Sequence, residues 1–592
     1  MPSRRRFLAG TAVALGVTGA ATACESATTP ATDALPQAPV VPAAQAPANG
    51  LNFVVILADD LGYGELGAYG QKLIRTPNLD ALAAEGLRFT DAYAAAPVCA
   101  PSRCSLLTGL HSGHATVREN PWGPGGQAAL SDRDFTFAEA LRARGYRTAL
   151  VGKWGFGPEE PNQPSHPNAR GFDEFYGYLT HRHAHDYYPP YLWRNAEREE
   201  IPENEDGARR VYAPDLLETR ALDFMDAHKD EAFLLCLTPT LPHAPSRAPE
   251  MGAYGSSPWP RPDKLHAAQV SKFDALVGNV TKRLESLGIA DRTVVIVTSD
   301  NGPHEEGRTD PGLFAASGGL RGLKRNLYEG GIRVPLIAWS PKRVRSGVTD
   351  RPTPLTDLLP TLAELAGAPA PADVDGLSIA PLLRGGADAV ARHDHLYFYR
   401  NHSGRTPGSD AIDRWRGRRL AEALRRGDMK AVRFAPGQDR NVPDDRWEVE
   451  LYDLARDPGE WDDIADKRPA EADALVRLMR SSWAEQYERK PFGVSLDVVS
   501  RGDGFVVTAT LANGSAKPWT GAGLELRVPG GWSVQALGSV SADFVAAGGR
   551  LTARWMVTPT SEGGWVSCVG TARHVGAPVR YAASAHTSSA AV

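Results

Sequence analysis

The chain has 592 residues, of which 42% are hydrophobic and 23% charged, with a formal net charge of -5. That is the composition of an ordinary globular protein of several domains, and its slightly acidic balance argues against a nucleic-acid binder, which would carry a basic surface. Five cysteines, Cys24, Cys99, Cys104, Cys236 and Cys568, are few, scattered and odd in number, so neither a disulfide framework nor a zinc ribbon is indicated.

Residues 1–24 stand apart from the fold. Ser3-Arg4-Arg5-Arg6-Phe7-Leu8 looks like a twin-arginine export motif, followed by a weakly apolar Ala/Gly-rich run to Ala23, so the protein is expected to be exported to the periplasm or cell envelope, or secreted. Ala21-Thr22-Ala23-Cys24 resembles a lipoprotein cleavage box, with Ala21 where a larger aliphatic residue is usual, which makes Cys24 a candidate lipid anchor. Residues 25–50, rich in Ala, Pro and Thr, form a linker that cannot bury a core.

From 51 to 390 short apolar runs alternate with helical patterns, as in an α/β domain with a mostly parallel sheet flanked by helices. Phe53–Ala58 is an apolar run suited to a strand buried on both faces. Thr76-Pro77 opens a helix to Gly86, with Thr76 as its cap. A helix over Phe137–Arg144 precedes a strand over Thr148–Val151, and further strands are expected at Phe233–Leu237, Val294–Thr298 and Val334–Trp339. Two strand ends run into polar residues, Asp59-Asp60 and Ser299-Asp300-Asn301. Open α/β sheets bind ligands beyond such ends, although Asp and Asn are also common turn residues.

Residues 391–490 read as a smaller α+β subdomain, with a strand over Met429–Phe434, the Glu450–Asp453 segment and a helix over Ala470–Glu488. Residues 491–592 read as an immunoglobulin-like β-sandwich, with strands at Phe505–Leu511, Leu524–Val528 and Leu551–Val557. Trp519, Trp532, Trp555 and Trp565 are expected in its core rather than on a sugar-binding face.

The most informative segment is Pro97-Val-Cys99-Ala-Pro-Ser-Arg103-Cys-Ser-Leu-Leu-Thr-Gly109. It resembles the signature of the type I sulfatases of the alkaline-phosphatase-like superfamily, in which Cys-x-Pro-Ser-Arg directs oxidation of the cysteine to formylglycine. Gly145-Tyr-Arg-Thr-Ala-Leu-Val-Gly-Lys153-Trp154 is similar to a second signature, and Asp59-Asp60, Ser299-Asp300-Asn301-Gly302 and Tyr328-Glu-Gly-Gly331 follow in the family's order.

The resemblance implies an arylsulfatase-like hydrolase of sulfated small molecules or glycans, served transiently by a formylglycine-generating enzyme. Its nucleophile would be an aldehyde hydrate at residue 99, whose second hydroxyl gives the sulfated adduct a route to collapse. A helix starting just after Pro101 would add anion-binding amides. Asp59, Asp60, Asp300 and Asn301, with residue 99, offer oxygen ligands, which select Ca²⁺ or Mg²⁺, and in the family the ion is usually Ca²⁺. By motif position Arg103 would hold the residue 99 hydroxyl, Lys153 and Lys324 the sulfate oxygens, with Arg325 a rival for the latter. His243 would protonate the leaving alcohol.

One departure stands out. Where many sulfatases have a histidine two residues after the motif lysine, this chain has Gly155, and His304 is the expected substitute base. His181-Arg-His183-Ala-His185-Asp186, if extended, would turn alternate histidines to one side. His183 and His185 are expected at the rim of the substrate pocket. The competing readings are a phosphoester or phosphonate hydrolase, which would commonly recruit a second metal, and a non-catalytic lipoprotein that binds sulfated glycans.

Overall fold

The computed structural model of the protein describes residues 50–120, 127–161, 163–386, 391–401, 404–560 and 564–587. The expected export signal, Cys24 and the linker up to residue 49 lie outside them. No helix of the described residues is long and apolar enough to cross a membrane.

A mixed sheet of ten strands among the described residues organises the larger part of the chain. Its spatial order is Gly347–Thr349, Leu87–Phe89, Leu336–Trp339, Thr293–Ser299, Asn52–Ala58, Phe233–Thr238, Arg147–Lys153, Glu174–Tyr178, Tyr191–Arg194 and Glu197–Glu200. The five strands from Thr293–Ser299 to Glu174–Tyr178 are parallel. Their apolar runs feed two cores. Phe53, Val55 and Leu57 join one cluster with Leu106, Phe137 and Leu358, and Val54, Ile56 and Ala58 join another with Leu79, Leu217 and Phe273. Alternate residues of one strand thus meet helices on opposite faces, which is why the strand is apolar throughout.

Local chemistry sets the element ends. Thr136 and Glu139 form a capping box that starts the Phe137–Ala143 helix. Thr76 does not cap the Pro77–Glu85 helix as expected. Its hydroxyl accepts from the Gly67 N–H at 2.8 Å and donates to Asp80 at 3.1 Å instead. The last strand begins at Leu336 rather than Val334, after Pro335, which has no N–H for the ladder, and it runs antiparallel to Thr293–Ser299.

Farther along, Leu396–Arg400, Ala421–Arg426, Met429–Phe434 and Glu448–Asp453 form an antiparallel sheet covered by the Pro469–Ser481 helix. That helix stops short of the expected Glu488. The chain turns away after Ser482, and the Ala484 N–H donates to Gly113 O at 3.1 Å. From Gly493 two four-stranded antiparallel sheets follow. Trp519, Trp532 and Trp555 are buried in this sandwich and Trp565 is half-buried.

Candidate functional site

Two parallel strands deliver acidic residues to one place. Asn52–Ala58 ends in Asp59-Asp60 and its neighbour Thr293–Ser299 ends in Asp300-Asn301. The ends are tied together: the Asp300 N–H donates to Ala58 O at 3.2 Å and the Asp60 N–H to Asp300 Oδ1 at 3.1 Å. Asn301 Nδ2 donates to Asp60 Oδ1 at 2.8 Å. Asp60 has φ +70, a left-handed conformation uncommon outside glycine that these bonds hold in place.

Cys99 opens the third element. The Cys99–Thr108 helix starts at Cys99 itself, three residues before the expected point, with Val98 in extended conformation as its cap. The sulfur, buried, lies 3.5 Å from Asp59 Oδ1 and 3.9 Å from Asp60 Oδ1. One turn on, Arg103 reaches Asp300 Oδ2 at 2.9 Å, Asp59 Oδ1 at 3.6 Å and Lys153 O at 2.9 Å. Its guanidinium is spent on the carboxylates, and no hydrogen bond joins it to the Cys99 side chain among the described residues.

Cations complete the arrangement. Lys153, the last residue of its strand, stands 2.7 Å from Asp59 Oδ2, and Lys324 stands 2.7 Å from Asp60 Oδ2. Arg325, the rival to Lys324, turns to Glu306 at 2.5 Å. His243 Nε2 lies 3.0 Å from Lys324 Nζ and 3.3 Å from Asp60. Its Nδ1–H donates to Ala244 O, which leaves Nε2 the accepting nitrogen. Four ligand atoms, from Asp59, Asp60, Cys99 and His243, lie within 4.8 Å of one another.

The electrostatics follow from crowding charges in a dry site. Burial alone would raise Asp59, but Lys153, His243, Arg103 and Lys324 hold it well below the usual carboxylate range. Burial and the Asp59 charge push Asp300 up to about 6. Burial, then Asp300, push the Cys99 thiol well above its ordinary value, so the sulfur is protonated. Burial brings His243 down to about 4, so its ring is neutral near pH 7.

This geometry sits inside a stretch that is alike in known proteins. The sulfatase family profile matches residues 51–368, and that of the N-sulphoglucosamine sulphohydrolase C-terminal region matches 322–487. Arylsulfatase A of Homo sapiens is 35% identical over 444 residues, 69% of this chain and 82% of that protein. N-acetylgalactosamine-6-sulfatase of Homo sapiens is 31% identical over 481 residues, 74% of this chain and 85% of that protein. The chain belongs to the sulfatase family. It is a sulfuric ester hydrolase.

Solved structures agree on the fold of this sulfatase. Ps i-CgsB in complex with a neocarrahexaose superposes with a TM-score of 0.60 at 28% identity, covering 74% of this chain and 94% of that one. The phosphonate monoester hydrolase of Agrobacterium radiobacter, at 21% identity and a TM-score of 0.51 over 73% of this chain and 95% of that one, shares the fold alone. Residues 499–564 match the NPCBM-associated, NEW3 domain of alpha-galactosidase.

The remaining histidines of the sulfatase are dispersed. His304 places Nε2 3.3 Å from Pro242 O and Nδ1 3.4 Å from Glu306. Among the described residues no hydrogen bond or ion pair joins it to Cys99. His181–Ala184 is a single helical turn, not an extended segment, because the Thr180 hydroxyl accepts from the His183 N–H. The turn sends the histidines different ways. His183 goes to Tyr191 O at 3.1 Å and Glu159 at 3.6 Å, whereas the His185 ring stacks on His243 with centroids 4.7 Å apart. His181, which the sequence offered only as a member of the histidine cluster and with no role of its own, lies beside Gly155. One residue not singled out in the sequence enters the site: Glu306, which gathers Arg325, Lys324 and His304. Glu306 carries no local sequence signal.

Proposed function

We propose that this sulfatase hydrolyses sulfate monoesters of carbohydrate or aryl alcohols through a formylglycine hydrate at residue 99, beside a bound Ca²⁺. The seat of Cys99 carries the reading: the first residue of a buried helix, within 3.9 Å of two carboxylates that are each paired with a lysine. A protonated thiol there is a poor nucleophile, and its sulfur stands in for the oxygens of the hydrate. Oxidation by a formylglycine-generating enzyme, followed by water addition, would supply two hydroxyls on one carbon. One oxygen attacks sulfur as the alcohol departs, and the other becomes the carbonyl as sulfate leaves.

The chain's own groups serve each need. Lys153 and Lys324, paired with Asp59 and Asp60, would turn to the sulfuryl oxygens of a bound substrate. The proton for the leaving alcohol comes from the Lys324–His243 pair, whose 3.0 Å contact joins the ammonium to the accepting Nε2. The helix amides at residue 99 favour an anion.

The donor set fits a hard cation. Asp59, Asp60 and Asp300 are carboxylates, and the buried Oδ1 of Asn301 has no hydrogen-bond partner. Such oxygens select Ca²⁺, and more readily than Mg²⁺, which keeps several waters. Bound there, the ion would lower the nucleophile's pKa and offset charge on the sulfuryl group. A sugar substrate draws support from Ps i-CgsB, solved with a neocarrahexaose.

Three measurements on one preparation test the proposal: mass spectrometry of the residue 99 peptide, elemental analysis for calcium, and turnover of aryl sulfate against aryl phosphate. Aldehyde, bound calcium and preference for the sulfate are expected. An unmodified thiol in active enzyme, or faster turnover of the phosphate, would overturn it.

A further inference from the structure

A buried imidazole beside this site leaves its Nε2 without a partner. His181 is 4% exposed, and its Nε2 makes no hydrogen bond. An ordinary core histidine satisfies both ring nitrogens, so this one is held ready for a group that arrives. The backbone that carries the ring is held at two points. The His181 N–H donates to Gln127 Oε1 at 2.9 Å, and Thr180 caps its turn.

The imidazole lies beside the segment that leaves Lys153. Immediately after Lys153, the Trp154 and Gly155 N–H groups donate to Tyr178 O and Leu179 O at 2.9 and 3.0 Å. This pairing lays the segment leading to His181 along the segment leading from Lys153. A Cβ at Gly155 would stand 2.9 Å from His181 Nε2, and Gly155 has φ +91. Backbone and space therefore both demand glycine there, and the room it leaves is taken by the His181 ring. After burial itself, the charges that act most on the ring are those of Lys153, Arg103 and Asp59, followed by His185. Asp59 is the residue whose Oδ1 lies 3.5 Å from Cys99 Sγ. His304, the base expected from the sequence, has Nε2 3.3 Å from Pro242 O and an unbonded Nδ1 that lies 3.4 Å from Glu306, on the side of Lys324 and Arg325.

We propose that His181 is a catalytic residue of this sulfatase, whose Nε2 removes the hydroxyl proton from the sulfated hydrate of residue 99. The O–H electron pair becomes the second bond of the restored C=O, and the C–O bond to sulfate breaks with its pair leaving on sulfate. The proton passes from Nε2 to solvent, and water then re-forms the hydrate. This step rests on the formylglycine reading above.

The test compares wild type with His181→Ala and His181→Gln, each co-produced with a formylglycine-generating enzyme, with residue 99 analysed by mass spectrometry before and after mixing with an aryl sulfate. Both variants are expected to carry the aldehyde. They should release about one equivalent of phenol in a burst, the mark of a covalent intermediate. Turnover should then run about 100-fold or more slower than wild type, with sulfate retained on the residue 99 peptide. Added imidazole should speed His181→Ala but not His181→Gln, in which the pocket stays filled. Turnover within about threefold of wild type, or slow turnover with aldehyde intact, no sulfated peptide and no imidazole rescue, would overturn the proposal. Aldehyde present in wild type but missing from both variants would assign His181 to folding or modification and overturn it as well. No aldehyde in active wild type would sink the formylglycine reading and this step together.

Discussion

Adjacent cations at 324 and 325 part company within one residue. Lys324 points to Asp60 and His243, whereas Arg325, with φ +86, points to Glu306. Lys324→Ala is therefore expected to lower kcat/KM on an aryl sulfate by about 100-fold or more, the usual loss for one preorganised charge at a developing anion. Arg325→Ala should stay within about tenfold, because it acts only through Glu306. Equal losses would contradict this division. A separate residue reports on pH. His166 is 3% exposed, receives the Asn168 N–H and faces Asn195 O, and burial pushes it down to about 4. Its unfolded value is near 6.5, so the unfolded chain takes up this proton first as pH falls. The native state therefore loses stability as pH drops from about 6.5 to about 4, by about 2 kcal/mol between pH 7 and pH 5 from this group alone. In denaturant titrations, His166→Gln should show a smaller loss than wild type by that amount. An identical pH dependence would refute it. At this scale Cys99, Asp59, Asp60, Lys153 and Lys324 could be singled out from the chain because their chemistry lies in contiguous motifs. His181 could be read only as one of three clustered histidines, since its relation to Gly155 exists only once two separate segments pair.

Strands announced themselves through unbroken apolar runs, and the ends of elements did not. Phe53–Ala58 reads as a strand because both of its faces are covered, whereas the Pro469–Ser481 helix stops where docking onto Gly113 pulls the chain away, a tertiary event with no local mark. The three histidines after Thr180 show the same limit: alternation hinted at an extended segment, and a single capping hydroxyl made a helical turn. Gly152 shows an element constrained by its neighbours. It lies in the Arg147–Lys153 strand between Thr238 and Gly177, has φ +126, and a Cβ there would stand 2.1 Å from Thr238 O. The next residue is Lys153, whose carbonyl accepts from Thr238 Oγ1 and Arg103. Gly152→Ala must therefore relieve both a forbidden φ and a backbone collision by shifting the strand. A loss of at least about 2 kcal/mol in thermal or denaturant unfolding is expected, together with reduced turnover because Lys153 moves. Wild-type stability in this variant would show that the strand yields more easily than its packing implies.

Across the whole molecule, the site and the sandwich are separate in chemistry but joined in packing. Every residue argued to act on sulfate lies between Asp59 and Lys324, contributed by strand ends, one helix and the loops that follow them. The sandwich meets the catalytic portion elsewhere. Phe492 packs tilted against Phe135 with ring centroids 4.4 Å apart and edges onto Trp519 and Tyr581, which lie against each other. The Ala372 N–H donates to Gly514 O at 3.0 Å, and Arg144 reaches Pro578 O at 3.3 Å. This seam covers Phe135, only 6% exposed, and the flank of the Phe137–Ala143 helix. That helix packs its other side into the core beneath the sheet. A chain ending at Lys490 would uncover about one large aromatic side chain and part of a helix face, a loss of about 2–3 kcal/mol by apolar area. In a protein of this size that corresponds to a fall in Tm of several degrees. Because no site residue touches the seam, turnover of a small aryl sulfate should stay within about twofold of the full chain below the new transition. Scanning calorimetry and steady-state rates on the two forms measure both effects. If the shortened chain kept its Tm but lost activity, the sandwich would be acting on the site rather than bracing the helix.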